Sequence, residues 1–351
     1  MIELRQKRKL QTKFLIRRIV TVLIFLGLIL MLRSFFIKAE NKNGANVVSN
    51  KLMVGAAENG SISFEENEFY KKYTINCTES ITDFNPKEDK DKFQITLDKS
   101  KLLNIDITKL AKVNSSEVNI EDNKELFTLT FNKLIEDENY AHLDYGNDTK
   151  IVIFIKKKES PFKYNVVVDP GHGGVDVGAY YGKLFEKDIT LKISKYMVDN
   201  LRYNGCKVTL TRDTDILLDA IVKTDLAKRA YFANDEKADV FVSVHINSNT
   251  VNEYNGVSTY YYGESNGIQT ERVKLAQVVQ KEILNDDSWK DMGTHGEDLS
   301  VLRNSEMPSV LVECGFLSNT SDRDKLSNES TLINFGLNIS SGIIKYLAEV
   351  K

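Results

Sequence analysis

Two patterns of apolar and polar positions follow one another along this chain. From about residue 61 to 158, apolar and polar residues alternate with period two in short runs: FQITL at 93–97, LFTLTF at 126–131 and IVIFI at 151–155, separated by turn-rich stretches such as FNPKEDKDK. Period two is that of a strand with one buried face, so 61–158 is predicted to be a β-rich module. From about residue 163 strand runs alternate with helical periodicity. Strands are predicted at 164–168, 207–211, 240–244, 257–262 and 309–313, and helices at 189–201, 226–233, 271–284 and about 332–348. The run YNVVV at 164–168 is apolar throughout, as a strand covered on both faces should be. This order predicts an α/β domain over 163–351, a mostly parallel sheet flanked by helices, with its sites at the carboxyl ends of strands.

Neither pattern holds in the first 60 residues. Residues 1–18 carry seven Lys/Arg against the single acid Glu3, and fourteen uncharged residues follow at 19–32, then Arg33 and the apolar Phe35, Phe36 and Ile37. Counted to Ile37 the stretch can span a bilayer of about 30 Å with Arg33 reaching the interface; cut at Ile37-Lys38-Ala39 it is a signal peptide. Either way the preceding positive charge keeps the amino end in the cytoplasm, and everything after residue 38 is expected outside it, as a membrane-anchored or secreted protein. Residues 39–60, small and polar, read as a linker. With the net charge at −3 and +6 of it confined to residues 1–18, the remainder carries −9, which excludes a nucleic-acid binder built on a basic face. Cys77, Cys206 and Cys314 are too few and too scattered for a disulfide framework or a Cys-x-x-Cys metal site, although one bridge stays open.

Three predicted strands end in polar residues. Asp169-Pro170-Gly171-His172-Gly173-Gly174 follows YNVVV, His245-Ile246-Asn247 follows VFVSV, and SVLVE closes on Glu313 before Cys314 and Gly315. A carboxylate at the end of an apolar strand is costly to bury unpaired, so Glu313 is expected to point into a site. Glu186 opens the first predicted helix of the α/β domain. Two histidines and a carboxylate make the donor set of a catalytic zinc site with a fourth position for water, and a further carboxylate can carry the proton. No local His-Glu-x-x-His pair is present, so spacing alone does not define the site.

The series DPGHGG, Glu186 opening a helix, TRD at 211–213, SVHIN at 243–247 and VLVECGFLSN at 310–319 resembles the catalytic domain of zinc-dependent N-acetylmuramoyl-L-alanine amidases, the Amidase_3 family, over about 163–348. The resemblance implies Zn2+ held by His172, Glu186 and His245, Glu313 as the catalytic carboxylate, and peptidoglycan as substrate, cut between the muramic acid lactyl group and L-alanine. It implies a role in cell separation, growth or sporulation, with an activator protein as a candidate partner. The β-rich module at 61–158 is similar in position and strand pattern to the AMIN-type sandwich domains that precede some of these amidases. Some family members carry a long helical insertion after the second histidine that plugs the site; here only residues 246–255 intervene before the next strand signal, so no such plug is expected.

Other readings stay open from sequence alone. Glu186 could serve only the helix dipole, and Glu313 could pair with Arg303. Ser243 and Asn247 are candidates to orient ligands, Arg229 reads as a surface cation, and His295 as part of a solvated loop. A zinc peptidase or deacetylase acting on another wall amide, and a wall-binding protein without catalysis, are the alternative functions; the presence of all four candidate residues disfavours the last.

Overall fold

In a computed structural model the described residues are 52–350, apart from 55–61, 82–85, 89–91, 103–117, 133–139, 145–146, 158–161, 220, 265–266 and 286–287. The basic and apolar segment at 1–38 and most of the linker at 39–60 lie outside them. Among the described residues no helix is long and apolar enough to cross a membrane.

The amino-terminal part is built from antiparallel strands in two sheets. One has the order β1 (Leu52–Val54), β2 (Ile62–Glu66), β3 (Tyr70–Asn76), β9 (Asn147–Lys156) and β8 (Tyr140–Asp144). The other has the order β4 (Lys87–Glu88), β5 (Lys92–Asp98), β7 (Leu126–Asn132) and β6 (Val118–Asp122). Their inner faces share one core in which Tyr73, Ile75, Ile151, Ile153 and Ile155 meet Phe93, Ile95, Leu129 and Phe131, which makes the unit a sandwich. Strand β5 alternates buried and exposed positions as a half-covered strand should. The run IVIFI of β9 is buried at every position because its second face is also covered. Val152 and Phe154 pack there with Phe69, Tyr70 and Phe162 against Tyr203 of the next domain.

Residues 164–350 form the α/β part. Its six-stranded sheet has the order β13 (Cys206–Leu210), β10 (Tyr164–Pro170), β14 (Val240–Asn247), β17 (Ser309–Phe316), β15 (Val257–Tyr262) and β16 (Asp291–Glu297). Four of the five junctions are parallel, and β15 meets β17 antiparallel, so the sheet is mixed. Helices α1 (Glu186–Tyr203), α3 (Gln269–Ile283) and α6 (Glu329–Val350) cover one face, packing on Val166, Val168, Val242, Val244, Val310 and Val312. On the other face α2 (Val222–Asp235) and α4 (Ser300–Arg303) pack on Val167, Phe241 and Leu311. A short helix α5 (Thr320–Leu326) links β17 to α6. Cys77, Cys206 and Cys314 are buried and free, so the one bridge left open by the sequence is not formed.

Two elements depart from the sequence expectation. His295 lies on edge strand β16, exposed, with its Nε2 2.7 Å from the Met292 carbonyl, where a solvated loop was expected. A hairpin of β11 (Tyr180–Tyr181) and β12 (Leu184–Phe185) precedes α1 and was not anticipated.

Candidate metal and catalytic centre

The central strands β10, β14 and β17 deliver the candidate residues to one end of the sheet. Side chains alternate across a strand, so Asp169, Ser243, His245 and Glu313 share the face of Val167, Phe241 and Leu311. His245 and Glu313 are register partners, and the β14–β17 pairing shifts just beyond them, between His245 and Asn247. Such irregularities re-aim side chains beside active sites. His172 stands in the loop after β10 with φ of 61°, a left-handed backbone that a non-glycine residue holds only when its surroundings enforce it.

His172, Glu186 and His245 offer ligand atoms within 4.8 Å of one another. Glu186 Oε1 lies 3.2 Å from His172 Nε2 and 3.0 Å from His245 Nδ1, and it also accepts the Ile246 N–H at 2.9 Å. Its Oε2 accepts the Ala179 N–H at 2.7 Å. Adjacent ligands of a tetrahedral ion with bonds of about 2.0–2.1 Å stand about 3.3 Å apart, so two imidazole nitrogens and a carboxylate oxygen in this arrangement fit a zinc-type cation. Glu186 is 3% exposed and turned into this cluster from the first turn of α1.

The charges agree with that geometry. Burial alone would raise the Glu186 carboxyl, but hydrogen bonds and charge from His172 and His245 hold it well below the usual carboxylate range. Burial disfavours the His172 cation, yet Glu186 and then Asp176 outweigh it and bring this imidazole to about 9. Asp176 Oδ2 lies 2.8 Å from His172 Nδ1, so the ring donates its Nδ1–H to Asp176 and turns Nε2 toward the cluster. Asp176 is a site residue absent from the sequence reading, though its place four residues after His172 was visible.

Glu313 keeps some solvent contact while its Oε2 is fully shielded and has no hydrogen-bond partner. Burial pushes its carboxyl up to about 7, with the nearby Glu186 charge adding to the rise and His245 and His172 opposing it. Arg303 pairs with Asp298 instead, which closes the ion-pair reading of Glu313. The loop at 248–256 contains no helix.

Two arginines brace the loop after β10. Arg212 of the TRD motif donates to the carbonyls of Pro170 at 3.0 Å, Gly171 at 2.9 Å and Lys187 at 2.8 Å. Arg229, read as a surface cation from sequence, is 1% exposed and pairs with Asp169 at 2.9 Å and Asp225 at 2.6 Å. An arginine amid helical polar residues reads as solvated unless its buried partners, here far along the chain or one turn away, are known. Ser243 donates to Asp169 Oδ2 at 2.6 Å, whereas the Asn247 side chain accepts the N–H of the next residue, Ser248.

A mixed sheet sandwiched by helices brings His245 and Glu313 from two central strands, His172 from the loop after β10 and Glu186 from the start of α1 into one cluster that could hold a metal ion. The family profile described as N-acetylmuramoyl-L-alanine amidase matches residues 166–345, and the chain belongs to that family. It is an amidase, a hydrolase of peptidoglycan. The chain is similar to the protein YqiI of Bacillus subtilis (strain 168), 36% identical over 181 residues that cover 52% of this chain and 84% of that one. It is also similar to the germination-specific N-acetylmuramoyl-L-alanine amidase of the same organism, 32% identical over 195 residues, 52% of this chain and 80% of the other. Among solved structures, the N-acetylmuramoyl-L-alanine amidase from Clostridium difficile 630 aligns with 34% identity and a TM-score of 0.48 over 52% of this chain and 96% of that chain.

Proposed function

We propose that this protein is a zinc-dependent N-acetylmuramoyl-L-alanine amidase that cuts the amide between the muramic acid lactyl group and the L-alanine of the stem peptide, with His172, Glu186 and His245 as metal ligands and Glu313 as the proton carrier. The observation that carries the reading is Glu313 Oε2, shielded, unpaired and within electrostatic reach of the cluster. A zinc ion bound there would act as a Lewis acid, lowering the pKa of water to about 7 and polarising the scissile carbonyl. Ionised Glu313 takes a proton from the attacking water as its oxygen bonds to the carbonyl carbon. It then gives that proton to the alanine nitrogen as the C–N bond breaks, and the second proton of the water leaves the new lactyl carboxyl for the freed amine, giving carboxylate and ammonium. A carboxyl near 7 can exchange a proton in both directions at neutral pH. Asp176 keeps the His172 ring in the tautomer that presents Nε2.

In the same reading, residues 1–38 anchor the chain in the membrane or direct its export, which places the catalytic domain outside the cytoplasm. Residues 39–60 tether it, and the β module at 61–158 is an AMIN-like accessory unit. An activator protein is a candidate partner, and wall remodelling in growth, separation or sporulation is the setting.

Mass spectrometry of purified peptidoglycan incubated with the full chain and zinc tests this. Stem peptides with a free L-alanine amino terminus, beside intact muramic acid, are expected from the parent and not from Glu313→Ala. Release of acetate or of other amino acids, with the lactyl amide left whole, would replace the reading with a deacetylase or peptidase.

A further inference from the structure

Nothing in the hydrolytic chemistry calls on Arg229, yet its guanidinium is buried beneath the loop that carries His172. From α2 it donates Nη2–H to the His172 carbonyl at 2.9 Å and Nη1–H to the Pro170 carbonyl at 2.8 Å. It also contacts Asp169 Oδ1 at 2.9 Å and Asp225 Oδ2 at 2.6 Å. Asp169 in turn accepts from Thr211 Oγ1 at 2.5 Å and Ser243 Oγ at 2.6 Å. One buried carboxylate therefore joins the end of β10 to the residue after β13 and to β14, two positions before His245. We propose that the Asp169–Arg229 pair is the positioning device of the metal site, Arg229 holding His172 in its left-handed backbone and Asp169 fixing the strand that aims His245. The proposal rests on the metal reading of the cluster.

The geometry separates this role from ordinary core packing. His172 at φ of 61° would relax toward a commoner conformation unless its peptide were held, and its carbonyl is held by the arginine fork. Asp176 fixes the imidazole from the ring side, Arg229 from the backbone side. A guanidinium suits the task because its planar set of donors reaches two carbonyls and two carboxylates at once, which a lysine ammonium does not. Both carboxylates are also buried, at 0% exposure for Asp169 and 2% for Asp225.

The test uses the full chain and Arg229→Lys, with the zinc dissociation constant measured by chelator competition and thermal unfolding followed with and without zinc. Zinc affinity is expected to fall by about 10- to 100-fold, as it does when the groups that orient metal ligands are lost. The rise in Tm caused by zinc is expected to shrink, and the visible spectrum of the cobalt-substituted protein to shift. A purely structural arginine would lower both Tm values together and leave affinity and spectrum alone, and a dissociation constant within about twofold of the parent's overturns the proposal. If Arg229→Lys does not fold, the triple variant Asp169→Asn/Asp225→Asn/Arg229→Met, which leaves neither buried carboxylate as an unpaired ion, decides by the same readings. A parent chain that binds no zinc would overturn the metal reading and this proposal together.

Discussion

Gly171→Ala is the sharpest probe of the centre because it adds one methyl group against one ligand. The backbone there takes an ordinary, non-left-handed φ, so alanine fits the chain itself. A Cβ at this position would stand 2.5 Å from His245 Cε1 and Nε2 and 2.8 Å from Nδ1, where ordinary contact begins at 3.4 Å. Gly171 cannot give way: its N–H is bonded to the Val244 carbonyl at 2.9 Å, and its carbonyl accepts from Thr190 Oγ1 and Arg212 Nη2, each at 2.9 Å. The imidazole must therefore retreat by about 0.9 Å, several times the roughly 0.2 Å within which metal–ligand distances are held. Overpacking costs about 1–3 kcal/mol and the lost chain freedom of glycine returns about 0.4–1 kcal/mol, so the domain is expected to stay folded. Zinc binding should weaken at least about 10-fold and hydrolysis of peptidoglycan slow about 100-fold, as a displacement near 1 Å commonly produces. Chelator competition and the rate at which new amino termini appear measure both. Parent-like affinity together with parent-like rate in a folded Gly171→Ala protein would refute the assignment of His245 to the site.

Further outcomes follow from other contacts of the fold. Glu313→Gln should lower the hydrolytic rate by about 10²- to 10⁴-fold, read from the rate at which new amino termini appear. Because folding raises the Glu313 carboxyl from an ordinary 4.5, the metal-free parent loses stability as pH rises from about 4.5 to 7, and at pH 8 the metal-free Glu313→Gln protein should unfold at higher temperature. Asp169 is opposed by burial but held below its ordinary value by Arg229, Ser243 and Thr211, so its contribution is complete above about pH 4 and lost as pH falls through the depressed value; Asp169→Asn should cost about 3–5 kcal/mol in neutral denaturant titrations and flatten that acid limb. Gly205→Ala, at φ of 87° and with a Cβ 2.4 Å from the Phe69 ring, should loosen the β sandwich from the end of α1, seen as faster proteolysis between the two domains. Its hydrolytic rate should hold, since the site lies at the other end of an 18-residue helix, roughly 27 Å away.

The α/β order and the four candidate residues that the fold gathers were legible because strand ends and helix starts leave strong local marks: apolar runs closing on histidine or glutamate, and glycines around His172. Strand β16 left none, since Asp291–Glu297 contains a single large apolar residue, Met292, and is held by its pairing with β15. The reversal of β15 against β17, which makes the sheet mixed, is a matter of where the chain returns and has no periodicity to betray it. IVIFI read as a half-covered strand because its second cover, Tyr203, comes from another domain. Arg229 was misread for the same reason: its burial depends on Asp169, 60 residues earlier.

The placement of the four candidate residues on separate elements also has a consequence for the order in which the site can assemble. His172 and Glu313 lie 141 residues apart, yet they meet only after β10, β14 and β17 have paired side by side. Contacts of such long sequence separation close late in folding, after the entropy of the intervening loops has been overcome. A chain whose β17 has not docked can thus hold the His172, Glu186 and His245 cluster while lacking Glu313 beside it.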